Sequence, residues 1–374
     1  MIDCAQFYSL LKENNTDFFA GVPDSLLKNF CAYITDTIPE SNHVITPNEG
    51  SAIALATGYH LATGKYPLVY MQNSGLGNTV NPLLSLASPE VYSIPMILLI
   101  GWRGEPGIHD EPQHISQGKL TLPLLDTMQI PYSILSDQQD RLAEQLQECY
   151  TYLEKNNAPY AIVIRKNTFQ DYCLQNNKKV AASISREAAI EKILLSFSKT
   201  DIVVSTTGMI SRELYELRNK HGMDHSKDFL TVGSMGHASQ IALGIALQKK
   251  ERKVVCIDGD GAAIMHMGGM ATIGSFKPSN YVHIVLNNGA HDSVGGQPTI
   301  ARTIDLCGIA SADGYENVLR IKNLSELEDN LSKINIFEKL TFLEVYCKKG
   351  ARKDLGRPTR TPIQNKEDFM EFLK

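Results

Sequence analysis

The stretch VVCIDGDGAA, residues 254–263, decides how the chain is read. Val254 to Ile257 form an apolar run without period-two alternation, the pattern of a strand in a parallel sheet covered on both faces. The run ends in two glycines that hold an aspartate between them, Gly259-Asp260-Gly261. A carboxylate at the end of a buried strand needs a partner for its charge. Runs of the same kind occur at LVYMQNSG (68–75), MILLIGWRG (96–104), AIVIRK (161–166), IVVSTTG (202–208), VHIVLNNG (282–289) and FLEVYCKKG (342–350), alternating with longer helix-like segments. The fold class is therefore α/β, with doubly wound parallel sheets. In such sheets a ligand sits beyond the carboxyl ends of the strands. The segments to inspect are Asn73-Ser74-Gly75, Thr206-Thr207-Gly208, Gly259-Asp260-Gly261 and Asn287-Asn288-Gly289.

The chain has 374 residues, enough for two domains of ordinary size, and a polar, aperiodic stretch at 168–186 divides it. We expect one domain over residues 1–175 and a second over 186–374. The net charge of −5 supplies no basic field for nucleic acid or an acidic membrane. Seven scattered cysteines without a CxxC pair suggest neither a disulfide framework nor a zinc site. The N-terminal MIDCAQFYSLLKENN has no apolar core of a signal peptide, and no apolar run is long enough to span a membrane, so a cytoplasmic location is expected.

A glycine-rich turn between strand and helix most often cradles phosphate. Two phosphate motifs fail here. GDGAAI has isoleucine where a dinucleotide fingerprint needs its third glycine, and Gly58 to Tyr66 resembles a P-loop only with one residue too many and a tyrosine at the magnesium position. An aspartate and a phosphate can share a turn when a divalent cation bridges them, and Mg²⁺ accepts carboxylate, amide and phosphate oxygens together. Asn287-Asn288-Gly289-Ala290 at the next strand end offers the missing oxygens. Taken singly, Asp260 reads equally well as a helix cap and the asparagine pair as a turn.

Together, GDG, 25 residues and NN resemble the cofactor signature of thiamine diphosphate enzymes. That resemblance implies Asp260, Asn288 and the Ala290 carbonyl as ligands of Mg²⁺, with Gly259, Gly261 and Ala262 around the diphosphate and Asn287 as a neighbour. TPNEGSAIALATGYHLATGK (46–65) is similar to the family's pyrimidine-binding segment, which makes Glu49 the carboxyl that contacts the aminopyrimidine ring and activates the cofactor. GSMGHA (233–238) resembles the loop whose large apolar residue wedges between the cofactor rings, here Met235 beside Ser234; Thr207 and Gly208 occupy a further cofactor-binding turn. The fold implied is a pair of thiamine diphosphate-binding domains, pyrimidine-binding then diphosphate-binding, without the middle domain of larger relatives. A homodimer or higher homo-oligomer is implied, because the family builds its sites between subunits.

The substrate must be read from other residues. KKGARKDLGRPTR (348–360) carries six basic residues against one acidic residue, and guanidinium groups suit a phosphonate, phosphate or sulfonate. A solvated charge run is the plain alternative. With GVPDSLLKNF (21–30), HDEPQH (109–114) and NNGAHDSVGGQPT (287–299), this segment resembles the short decarboxylases of the family that act on pyruvates with an anionic β-substituent, phosphonate first and sulfonate second. The resemblance implies Arg352, Lys353 and Arg357 as head-group ligands, Ser25 and Asp24 at the same mouth, and His114 and His291 as proton-transfer or carboxylate-binding groups. Carboligation and a non-catalytic cofactor-binding subunit are the other readings.

Overall fold

A computed structural model describes residues 1–175, 182–334 and 338–374. The chain divides into two compact units, Met1–Asn177 and Lys178–Lys374. Part of the polar stretch expected to divide them, residues 176–181, lies outside the described residues.

The first unit holds β1 (Phe19–Gly21), β2 (His43–Ile45), β3 (Leu68–Gln72), β4 (Ile97–Gly101), β5 (Tyr132–Ile134) and β6 (Tyr160–Ile164), in the order β2-β1-β3-β4-β6-β5. The second holds β7 (Ile202–Ser205), β8 (Asp228–Leu230), β9 (Val254–Gly259), β10 (Tyr281–Asn287), β11 (Asn317–Ile321) and β12 (Thr341–Tyr346), ordered β11-β12-β10-β9-β7-β8. Read from its own first strand, the second sheet repeats the order of the first. Every pairing between these strands is parallel. The two doubly wound sheets are thus those the apolar runs predict.

Alternation along each buried strand feeds two cores, one on each face of its sheet. In the first unit Leu68, Tyr70, Ile97 and Leu99 join one core, while Val69, Met71, Leu98 and Ile100 join the other. In the second, Val255, Ile257, Ile284 and Leu343 lie on one side and Val254, Cys256, Val285 and Phe342 on the other. With both faces covered, a strand has no polar side to show, which is why β3, β4, β6, β9, β10 and β12 read as largely apolar runs without period-two alternation. All seven cysteines are free thiols, six of them buried or half-buried. Among the described residues no helix is long and apolar enough to cross a membrane.

The turn after β4 is fixed with little tolerance. Gly104 has φ +70°, and a Cβ there would lie 2.0 Å from the His114 carbonyl oxygen. Trp102 Nε1 donates to the Gly118 carbonyl at 2.8 Å, holding the turn against the helix Pro112–Thr127. Gly104→Ala combines left-handed strain with backbone overlap, so we expect a loss of about 2–4 kcal/mol. A urea titration with unchanged slope and a lower midpoint is the result that checks it.

Candidate active site

In the second unit, β9 and β10 run side by side, with Gly259 paired to Leu286. Their carboxyl ends therefore bring Asp260 and Asn288 to one edge of the sheet, although the two are far apart in sequence. Both are buried, at 3% and 4% exposure. Asp260 begins the short helix Asp260–Met265, and its carboxylate accepts a hydrogen bond from the Thr299 hydroxyl. Burial pushes its pKa up to about 6, against the lowering effect of Thr299 and nearby backbone N–H groups. Among the described residues no lysine or arginine forms an ion pair with it.

Asn288 is oriented by its own loop. Its Nδ2 donates to Asp292 at 2.7 Å, and its Oδ1 accepts from the Ala290 backbone N–H at 3.0 Å. The Ala290 carbonyl receives no donor among the described residues. Asp292 is itself a junction: its Oδ2 also accepts from Arg186 Nη1 at 3.0 Å and from the Gly350 N–H at 2.8 Å. Arg186, 4% exposed, is forked onto Glu213 at 2.8 and 2.9 Å. The start of the basic segment is thereby tied to the loop that carries Asn288.

Around Gly261 the packing is close, and a Cβ there would approach His291 Cε1 at 2.9 Å and Met235 Cε at 3.4 Å. Burial lowers the His291 pKa to about 4, opposed by Asp292, so its ring is neutral at pH 7. Ala262 is buried at 5% exposure. Ser234 is left-handed at φ 54° and its carbonyl accepts from the His237 N–H at 3.2 Å; Thr207 Oγ1 donates to the Val232 carbonyl at 2.8 Å. Gly208, at φ 94°, precedes the helix Met209–Lys220. The rings of His237 and His266 lie 4.4 Å apart, with His266 reaching the space beside Gly236. Of the basic segment, Arg352 is held by three carboxylates, Glu187, Glu216 and Asp354. Lys353 and Arg357 are exposed.

In the first unit, Glu49 opens the helix Glu49–Thr63, whose cap is Asn48 accepting from the Ser51 N–H at 2.9 Å. The Glu49 side chain is 5% exposed and its Oε2 accepts from Asn78 Nδ2 at 2.7 Å. A Cβ at Gly75 would sit 2.4 Å from Oε1, so only glycine leaves room for the carboxyl.

A second cluster stands at the carboxyl ends of β1, β3 and β4. Asp24 is fully buried and accepts from the Leu26 N–H at 2.7 Å and from Gln72 Nε2 at 2.6 Å. These bonds shape the loop that presents Ser25. Arg103 donates from Nη1 to Ser25 Oγ at 2.7 Å and forks onto Asp110, with Nε at 2.8 Å from Oδ2. Burial opposes ionisation of Asp110, but the Arg103 guanidinium and the Glu111 and Gly104 N–H groups hold its carboxyl well below the usual range. His114 is 8% exposed, and its Nδ1 has no hydrogen-bond partner. Burial, aided by Arg103, lowers its pKa to about 4, so it too is neutral at pH 7.

His114 should make the protein sensitive to acid. Its folded value lies below the ordinary 6.5, so between these values the unfolded chain takes up a proton that the folded chain refuses. Stability falls as pH drops from 6.5 towards 4. We expect wild type to lose roughly 1–3 kcal/mol more than His114→Gln over that window, read from urea unfolding at each pH.

Comparison with known proteins agrees with both halves. Residues 5–129 match the N-terminal TPP binding domain of thiamine pyrophosphate enzymes, and residues 204–345 match their C-terminal TPP binding domain. A phosphonopyruvate decarboxylase from Streptomyces viridochromogenes is 35% identical, with 100% of this chain and 95% of the relative covered. The chain belongs to the thiamine pyrophosphate enzymes. It is a thiamine diphosphate-dependent decarboxylase. A phosphonopyruvate decarboxylase from Streptomyces hygroscopicus is also 35% identical, over 94% of this chain and 89% of its own. A sulfopyruvate decarboxylase from Methanosarcina acetivorans is 27% identical, over 97% and 96%.

The residues at the tips of β9 and β10 fit this decarboxylase's cofactor with a divalent cation. The three candidate donors, Asp260, Asn288 and the Ala290 carbonyl, are all oxygens, which hard cations such as Mg²⁺ select. A buried carboxylate with a raised pKa and no ion-pair partner among the described residues is a group whose charge a bound cation would balance. Sequence reading missed Arg103, Arg186 and Thr299. Each acts through partners distant along the chain, such as Ser25 for Arg103 and Asp292 for Arg186, and no local spacing marks them.

Proposed function

We propose that this decarboxylase converts 3-phosphonopyruvate to phosphonoacetaldehyde and carbon dioxide, with thiamine diphosphate held through Mg²⁺. The aldehyde then serves the synthesis of 2-aminoethylphosphonate. One observation carries the reading: full-length similarity to two phosphonopyruvate decarboxylases at 35% identity, against 27% for the sulfopyruvate enzyme. Decarboxylation of sulfopyruvate is the second reading, because that relative also covers nearly the whole chain.

When bound, thiamine diphosphate supplies an electron sink for the pair left behind as carbon dioxide departs. The chain's own residues do the rest. Asp260, Asn288 and the Ala290 carbonyl hold the cation, and Gly259, Gly261, Ala262, Thr207, Gly208 and Ser234 line the cofactor. Met235, whose Cε lies beside Gly261, would give the cofactor an apolar support. Glu49, whose Oε2 accepts from Asn78, would be the carboxyl that exchanges a proton with the cofactor's aminopyrimidine ring. His114 and His291, neutral at pH 7, can accept a proton or, once protonated, deliver one. The working form is a cytoplasmic homodimer or larger homo-oligomer, so that the family's way of completing its sites is available to this chain.

Asp292 positions Asn288 through its hydrogen bond to Nδ2. Asp292→Ala should weaken Mg²⁺ binding in the presence of thiamine diphosphate by about 10–100-fold, as loss of outer partners of metal ligands commonly does. A Mg²⁺ titration followed by calorimetry checks this without reference to turnover.

The substrate reading is tested by following phosphonopyruvate by ³¹P NMR beside released carbon dioxide, with and without Mg²⁺. Equal amounts of phosphonoacetaldehyde and carbon dioxide, formed only with metal, are expected. Formation of a coupled acyloin in place of the aldehyde would make the enzyme a carboligase.

A further inference from the structure

A cleft of about 210 Å³ opens at the carboxyl ends of β1 and β4 in the first unit, lined by Ser25, Trp102, Arg103, His109, Asp110 and Lys166 among others. Parallel sheets place their ligands at this edge. Arg103 is held before any ligand arrives. Its backbone is clamped by Asn73, which donates to the Arg103 carbonyl at 2.8 Å and accepts from its N–H at 3.2 Å. Its guanidinium is fixed by Asp110 and Ser25.

A guanidinium has five N–H donors, and these contacts use three of them, one on each nitrogen. The free donors of Nη1 and Nη2 remain. Ser25 Oγ accepts from Arg103, so its own hydroxyl proton is available to donate. Lys166 and His109 are exposed, and neither has a hydrogen-bond or ion-pair partner among the described residues. Of the cleft's two carboxylates, Asp110 neutralises Arg103 and Glu105 is paired with Arg165 at 2.8 Å. Lys166 therefore stands as an uncompensated cation beside fixed donors.

We infer that this cleft binds the phosphonate head of the substrate, with Arg103 and Ser25 as directional donors and Lys166 as the neutralising charge. The inference rests on the proposed substrate and assigns its head group to particular residues. A tetrahedral dianion presents three oxygens, matching a forked guanidinium, a hydroxyl and an ammonium. Arg352, the most obvious alternative on the basic segment, already meets three carboxylates. It has little charge left to offer a dianion.

The test uses methylphosphonate as probe, titrated by calorimetry into the enzyme loaded with thiamine diphosphate and Mg²⁺. Lys166→Gln should weaken its binding about tenfold, and Arg103→Lys, which keeps charge but loses the fork, about 10–100-fold. The KM for phosphonopyruvate should rise in step while kcat falls less. Arg352→Ala should weaken the probe less than Lys166→Gln does. Lys166 is exposed and unpaired, so its variant should fold as wild type and keeps the test decisive even where Arg103→Lys is unstable. Unchanged methylphosphonate binding in Lys166→Gln, or a larger loss in Arg352→Ala, would overturn the assignment. If the wild-type enzyme leaves phosphonopyruvate untouched yet binds methylphosphonate through Lys166 and Arg103, the anion subsite stands and the substrate reading falls.

Discussion

Glu49→Gln should lower kcat by about 10²–10⁴-fold, the usual contribution of a positioned acid–base group, while thiamine diphosphate and Mg²⁺ still bind. The substitution keeps size and an acceptor for Asn78 but removes the ability to hold and release a proton. The surroundings allow this comparison to be clean. The carboxyl is buried, its Oε2 is fixed by Asn78, and the glycine at position 75 lets the backbone press against Oε1. Calorimetric binding of the cofactor beside single-turnover decarboxylation separates the two effects. A kcat within tenfold of wild type would remove Glu49 from the proton chemistry.

Asp260→Ala should abolish metal-dependent retention of thiamine diphosphate, with Mg²⁺ affinity reduced by at least about 100-fold, more than the loss of an outer partner. The variant should not be unstable without cofactor, because the wild-type carboxylate is buried at an energetic cost, as its upward pKa shift records. Ligands that bind only the folded state raise its melting temperature. Thiamine diphosphate with Mg²⁺ should therefore raise the melting temperature of wild type and leave that of Asp260→Ala unmoved. An equal rise in both proteins would place the cation elsewhere.

The sheets were legible where strands are long and covered on both faces. β9 and β10 could be read because Val254–Ile257 is wholly apolar and Val282–Leu286 is broken only by His283, which is itself buried. β1, β2, β5 and β8 escaped notice because three residues carry no period, and in β2 and β5 every residue is only half-buried. β11, NVLRI, lies at a sheet edge and is largely half-buried, so it lacks the apolar run. The shared strand order of the two units has no counterpart in a visible sequence repeat, since strand order depends on crossovers rather than on residue identity.

The site divides in the same way. Asp260 and Asn288 follow adjacent strands, so a fixed spacing in sequence becomes a fixed distance at the sheet edge. Arg103 offers no such spacing. Its partners are 78 residues away at Ser25, 30 away at Asn73 and 7 away at Asp110, and only the fold gathers them. The basic segment shows the opposite case: its charge is plain in the sequence, but the carboxylates around Arg352 come from Glu187 and Glu216 in distant helices as well as from Asp354. Net charge in a window cannot reveal which cations are already neutralised.

The most direct test of the account is a competition. The enzyme, loaded with thiamine diphosphate and Mg²⁺, receives phosphonopyruvate, sulfopyruvate and pyruvate at equal concentrations, and the three product aldehydes are measured during initial turnover. Predominance of phosphonoacetaldehyde is the predicted result. Predominance of sulfoacetaldehyde or acetaldehyde would contradict it.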